Sequence, residues 1–130
     1  MIKKLLHTRM RVSNLEETIK FYTEVLGLKV VERHQSPRGS KLAFLEVPGS
    51  DEQIELCSFP SSGPVQVQED LVHLAFQVEN LDESIADLKR KGVEITDGPT
   101  VTSSGNRFAF IDAPDRYEVE LIEVKSKKMV

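Results

Sequence analysis

The chain repeats itself, and this constrains its architecture more than any other feature of the sequence. With His7 placed on His73, an offset of 66 residues, Val12 meets Val78, Asn14 meets Asn80, Leu15 meets Leu81, Glu17 meets Glu83 and Ile19 meets Ile85. Glu16/Asp82 and Thr18/Ser84 are similar pairs. The same offset lays Ala43-Phe44-Leu45-Glu46 on Ala109-Phe110-Ile111-Asp112 and Pro48 on Pro114. One extra residue in the first half then changes the offset to 65, which puts Ile54-Glu55-Leu56 on Val119-Glu120-Leu121. So many matches in so few frames describe two copies of one module. The first covers about residues 1–60 and the second about 71–125. Residues 60–70 form a linker, with Ser61, Ser62, Gly63 and Pro64 as its breakers. At 130 residues the two copies are expected to make a single domain.

Each copy reads β-α-β-β-β, which makes the fold class α+β: two tandem βαβββ modules. Leu6–Val12 and Leu71–Val78 are strand-like apolar runs. A helix follows each, capped by Asn14 or Asn80, with Glu17 or Glu83 three residues on as a capping box requires. Leu15, Ile19, Tyr22 and Leu26 carry the helical spacing in the first copy, and Leu81, Ile85 and Leu88 in the second. Gly27 and Gly92 suit the left-handed residue that ends a helix. Further strands are expected over Leu28–Arg33, Lys41–Val47, Glu52–Ser58, Val93–Thr96, Arg107–Ile111 and Tyr117–Val124, with turns at Pro48-Gly49 and Pro114-Asp115.

Composition narrows the function. The net charge is −4 and no basic stripe is interleaved with aromatics, so nucleic acid is not expected as a partner. No apolar run is long enough to span a bilayer, and the start lacks the long apolar stretch of a signal peptide; no membrane partner and a cytoplasmic location are expected. The lysines near the end, Lys125, Lys127 and Lys128, read as a tail that frays. Cys57 is the only cysteine, which leaves nitrogen and oxygen to hold any metal.

Two histidines and two glutamates stand at matched positions. Glu55 lies between Ile54 and Leu56, and Glu120 between Val119 and Leu121, so each carboxylate interrupts an apolar strand. Burying a carboxylate is costly unless it is paired or bound to a metal. His7, Glu55, His73 and Glu120 can converge if the modules curve around a shared cleft. Imidazole with carboxylate suits zinc, nickel, cobalt, iron or manganese. Arg9 can be a solvated charge. Arg11 shares a face with His7 and is either another solvated charge or a contact for an anionic substrate group. His34 has no counterpart in the repeat and reads as surface, and Cys57 reads as filler.

Leu5-Leu6-His7-Thr8, Arg11-Val12, Phe21-Tyr22-Thr23-Glu24-Val25-Leu26-Gly27-Leu28, Leu42-Ala43-Phe44, Ile54-Glu55-Leu56, His73-Leu74-Ala75 and Tyr117–Glu123 together resemble the vicinal-oxygen-chelate superfamily, and within it the glyoxalase I (lactoylglutathione lyase) family. The resemblance runs from Leu5 to about Glu123. It implies a cup-shaped mixed sheet around one divalent metal (nickel, cobalt or zinc) held by His7, Glu55, His73 and Glu120. It also implies a homodimer with the site shared between chains. The implied reaction isomerises the hemithioacetal of methylglyoxal and a low-molecular-weight thiol to an S-2-hydroxyacyl thioester. Glu120 is the main base, Glu55 shares the proton work, and Arg11 contacts substrate. The family tends to carry an Asn shortly after the Glu55-type ligand, where it helps hold glutathione; here that stretch reads Cys57-Ser58-Phe59-Pro60. Methylmalonyl-CoA epimerases share the framework but usually have Gln where Glu55 stands. Bleomycin-resistance-like binding modules share it too, often without the full ligand set.

Overall fold

A computed structural model describes residues 1–130. The chain forms two compact units, Met1–Val65 and Gln66–Val130. Each is βαβββ. The first unit runs β1 (His7–Arg11), α1 (Leu15–Lys20), β2 (Lys29–Gln35), β3 (Lys41–Glu46) and β4 (Gln53–Ser58). The second runs β5 (His73–Val78), α2 (Leu81–Arg90), β6 (Ile95–Val101), β7 (Arg107–Asp112) and β8 (Glu118–Glu123). Each unit holds one mixed four-stranded sheet, in the order β1-β4-β3-β2 and β5-β8-β7-β6. The first strand of each unit pairs parallel with the last, and the remaining pairs are antiparallel.

The helices start where the asparagines predict. Asn14 and Asn80 are extended, and their side chains accept hydrogen bonds at 3.0 Å from the backbone N–H of Glu17 and Glu83. Gly27 and Gly92 end the helical segments at φ +80° and +79°, a conformation a β-carbon disfavours. Between cap and glycine the two copies differ. In the first, α1 passes into a wider π-helical turn, Phe21–Val25. There Leu26 N–H bonds to Phe21 C=O, and the Thr23 hydroxyl donates back to Ile19 C=O at 2.8 Å. This turn absorbs one extra residue: Leu15 and Leu81 are 66 apart, whereas Gly27 and Gly92 are 65 apart.

Strand alternation gives each sheet two unlike faces. On one, Ala43 pairs with Leu56 and Leu45 with Ile54, all buried, on the strands α1 packs against. The second unit repeats this with Ala109 opposite Leu121 and Ile111 opposite Val119, on the strands α2 packs against. Phe44 lies opposite Glu55 on the other face, and Phe110 opposite Glu120.

Two expectations need correction. The end of the chain is tied down rather than frayed. Asn106, fully buried, accepts from the N–H of Lys125 and Ser126 and donates to Lys128 C=O at 2.7 Å. The strand expected over Val93–Thr96 instead covers Ile95–Val101 and includes Pro99. That proline is tolerated because β6 is an edge strand with irregular register on its one partner. No helix is long and apolar enough to cross a membrane.

Candidate functional site

Parallel pairing brings each histidine to the glutamate of the last strand in its own unit. In the first, β1 lies against β4 with Arg9 at the register of Glu55. His7 Nε2 is 3.6 Å from Glu55 Oε1. In the second, β5 lies against β8 with Ala75 at the register of Glu120, and His73 Nε2 is 3.1 Å from Glu120 Oε1. Each imidazole packs edge-on against a phenylalanine two strands away, Phe44 on β3 or Phe110 on β7. The ring centroids are 5.3 Å apart for His7 and Phe44, and 5.2 Å for His73 and Phe110. The phenylalanine limits ring rotation, while 43% and 42% of the two imidazole side chains stay accessible.

The carboxylates differ more than the histidines. The Arg9 guanidinium reaches both oxygens of Glu55, Nε to Oε1 at 2.7 Å and Nη2 to Oε2 at 3.1 Å. The guanidinium also lies over the Phe59 ring, 5.8 Å from its centroid. Arg9 therefore holds the Glu55 carboxyl below the usual carboxylate range, against the opposing effect of burial. Glu55 reciprocally raises Arg9. The second unit has no guanidinium at that position, since Ala75 ends at its β-carbon. Arg9 thus belongs to the candidate site, where the sequence alone also allows a solvated charge. The available signal was its place two residues after His7, on the same strand face.

Arg11 follows on β1, and its guanidinium donates to the carbonyl of Gly63 at 3.1 Å. It thereby fastens the chain after the short helical turn Pro60–Ser62. Cys57 is buried, and burial pushes its thiol up, as befits filler. His34 is exposed on β2, with Nε2 2.6 Å from Glu32.

Each unit thus offers one imidazole nitrogen and one carboxylate, donors that suit a divalent cation of intermediate softness. Neither unit gathers three or more His, Cys, Asp or Glu side chains about one point. Glu55 can contribute despite Arg9, because a carboxylate has about four lone-pair sites and Arg9 takes two of them.

A sequence model described as the Glyoxalase/Bleomycin resistance protein/Dioxygenase superfamily matches residues 4–121. Among similar proteins, the uncharacterized protein YwkD of Bacillus subtilis is 35% identical over 127 residues, covering 95% of this chain and 98% of its own. The lactoylglutathione lyase of Salmonella typhimurium is 32% identical over 126 residues, covering 94% and 93%. Among solved structures, the trypanothione-dependent glyoxalase I of Leishmania major is similar with a TM-score of 0.78 and 34% identity, covering 94% of this chain and 87% of its own.

Proposed function

Because the chain belongs to the glyoxalase/bleomycin resistance protein/dioxygenase superfamily, we propose that it is a metal-dependent lyase of the lactoylglutathione lyase kind. Its substrate would be the hemithioacetal that methylglyoxal, or a related α-oxoaldehyde, forms with a low-molecular-weight thiol. The product is the S-2-hydroxyacyl thioester. The observation that carries this reading is the recurrence of one His–Glu pair, with the same aromatic packing, in both units. Relatives named lactoylglutathione lyase at 32% identity support the same class of reaction.

In this reading His7, Glu55, His73 and Glu120 hold one divalent cation: nickel, cobalt or zinc. When bound, it supplies positive charge against the negative charge that proton removal leaves on the substrate's two adjacent oxygens. Glu120 takes the proton from the carbon that bears sulfur and returns it to the neighbouring carbon. The hydroxyl proton moves between the two oxygens, so the product is an isomer of the substrate and no oxidant is needed. Glu55, held by Arg9, is the poorer base of the two. Arg11, on the strand of His7, is proposed to meet an anionic group of the substrate's thiol portion. The stretch Cys57–Pro60 has no asparagine, which makes glutathione one thiol to test among several.

The test is thioester formation by protein loaded with nickel, cobalt or zinc, with metal content measured on the same samples. His7→Ala and His73→Ala should each lower metal content sharply. Glu120→Gln keeps size and an acceptor oxygen but removes the base, so it should depress kcat far more than it raises KM. No turnover with glutathione or other small thiols sinks the lyase reading. Full metal occupancy in both His variants sinks the ligand assignment.

A further inference from the structure

The two His–Glu pairs match in backbone register, ring packing and residue type, and differ in how the carboxylate is held: His7 stands 3.6 Å from Glu55, His73 3.1 Å from Glu120. Arg9 stands at the register of Glu55, where the second unit has Ala75 at the register of Glu120. The Arg9 guanidinium engages both oxygens of Glu55 and has Phe59 against its face. A planar fork held at two points fixes both the position and the rotation of a carboxylate. Glu120 meets His73 through one oxygen at 3.1 Å. Its side chain is 16% accessible against 5% for Glu55, so it has more room to turn.

We propose that Arg9 is a positioning residue that makes the two matched carboxylates unequal, keeping Glu55 as a fixed ligand of the cation and leaving Glu120 as the carboxylate that can move off it. The inference rests on the four-ligand reading proposed above. Its basis is preorganisation: a ligand already held in place loses little freedom on binding, so it contributes more to affinity than a free one. Groups that orient a ligand from behind commonly change metal affinity by about 10- to 100-fold. Arg9 also brings a positive charge near the cation, which lowers overall affinity. For that reason the difference between the two glutamates is the informative quantity.

The experiment measures nickel(II) dissociation constants by competition with a chelating dye, with thermal unfolding followed for every variant. In the otherwise unaltered protein, Glu55→Gln should weaken nickel binding at least about tenfold more than Glu120→Gln does. In an Arg9→Met background the two costs should converge. In Arg9→Met combined with Ala75→Arg, which moves the guanidinium to the other unit, the order should reverse. Ala75 is exposed, so an arginine side chain can be accommodated there. Arg9→Lys, which keeps the charge but not the two-point hold, should shrink the difference, and it carries the test if Arg9→Met does not fold. Equal costs for Glu55→Gln and Glu120→Gln while metal still binds overturn the role of Arg9 and leave the proposed function standing. An order unchanged by moving the arginine does the same. A protein that binds no nickel, cobalt or zinc removes both.

Discussion

Glu55 is buried on a face where its counterpart Glu120 keeps some exposure, and Arg9 is what makes that burial tolerable. The pairing gives a stability signature with a defined sign. Glu55 has its folded-state pKa depressed, chiefly by hydrogen bonding from Arg9, while burial pulls the other way. Its contribution is therefore present above the ordinary carboxylate range and is lost as pH falls through the lowered folded-state value. Arg9→Met leaves burial as the main influence and a carboxylate without its guanidinium. We predict a loss of about 1–3 kcal/mol at pH 7, at the lower end because Arg9 is half exposed. The loss should narrow as acid protonates Glu55, and urea unfolding of both proteins at pH 7 and at pH 4 measures it. A constant gap at both pH values would mean that Arg9 acts through packing alone. Glu123 is the comparable buried carboxylate of the second unit. It lies on the face that α2 covers, where it accepts from Leu81 N–H at 3.0 Å in the helix's first turn. Sequence reading placed Glu123 inside a strand and gave it no task, because nothing in its spacing reveals a neighbour some forty residues away.

At the level of elements, the sequence was most informative where local chemistry repeats. Asn14 and Asn80 cap as expected, and Gly27 and Gly92 end their helical segments as expected. The matched carboxylates were legible from the apolar residues on either side of them. The wider turn Phe21–Val25 was not legible, since Leu15, Ile19, Tyr22 and Leu26 fit a regular helical spacing and the extra residue shows only when the two glycines are compared. The extent of β6 was hidden for another reason: Gly98-Pro99 reads as a breaker, and only edge position and irregular pairing let a strand continue through it. The caps can be tested. Asn14→Ala and Asn80→Ala should each cost about 0.5–2 kcal/mol in denaturant unfolding. Asn80→Ala should affect the ten-residue α2, and Asn14→Ala the shorter α1. A change of less than a few tenths of a kcal/mol in both would show that packing against the sheets makes the caps redundant.

For the whole molecule, the repeat predicted two copies of one module, and the chain folds as two units of the same topology. Within its own sheet, each unit leaves its first strand bonded on one side only. Leu5 and Leu6 before β1, and Leu71 and Val72 before β5, are exposed apolar residues at equivalent places in the repeat. Single exposed apolar residues are ordinary, whereas a matched set beside two sheet edges has the character of a contact surface. We predict a homodimer by sedimentation at micromolar concentration. Leu6→Glu and Val72→Glu should shift it toward monomer, and a wild-type chain that is monomeric at every concentration would contradict this.

The parallel pairing of β1 with β4 and of β5 with β8 carries a consequence in time. A hairpin can close as soon as its two strands exist, but a parallel pair must wait for all the chain between its members. His7 and Glu55 meet across a whole unit, as do His73 and Glu120, so each pair joins the first strand of its unit to the last one made. Each histidine also sits on an outer strand bonded on one side only, the kind of strand that detaches before a sheet's interior does. The pairs should therefore be the last contacts made in folding and the first released in partial opening. Native-state hydrogen exchange should find the amides of β1 and β5 opening at lower free energy than those of β3 and β7. Anything that bridges a histidine to its glutamate should slow exchange at those outer strands first. Uniform protection across all strands would show instead that each sheet opens only as a whole.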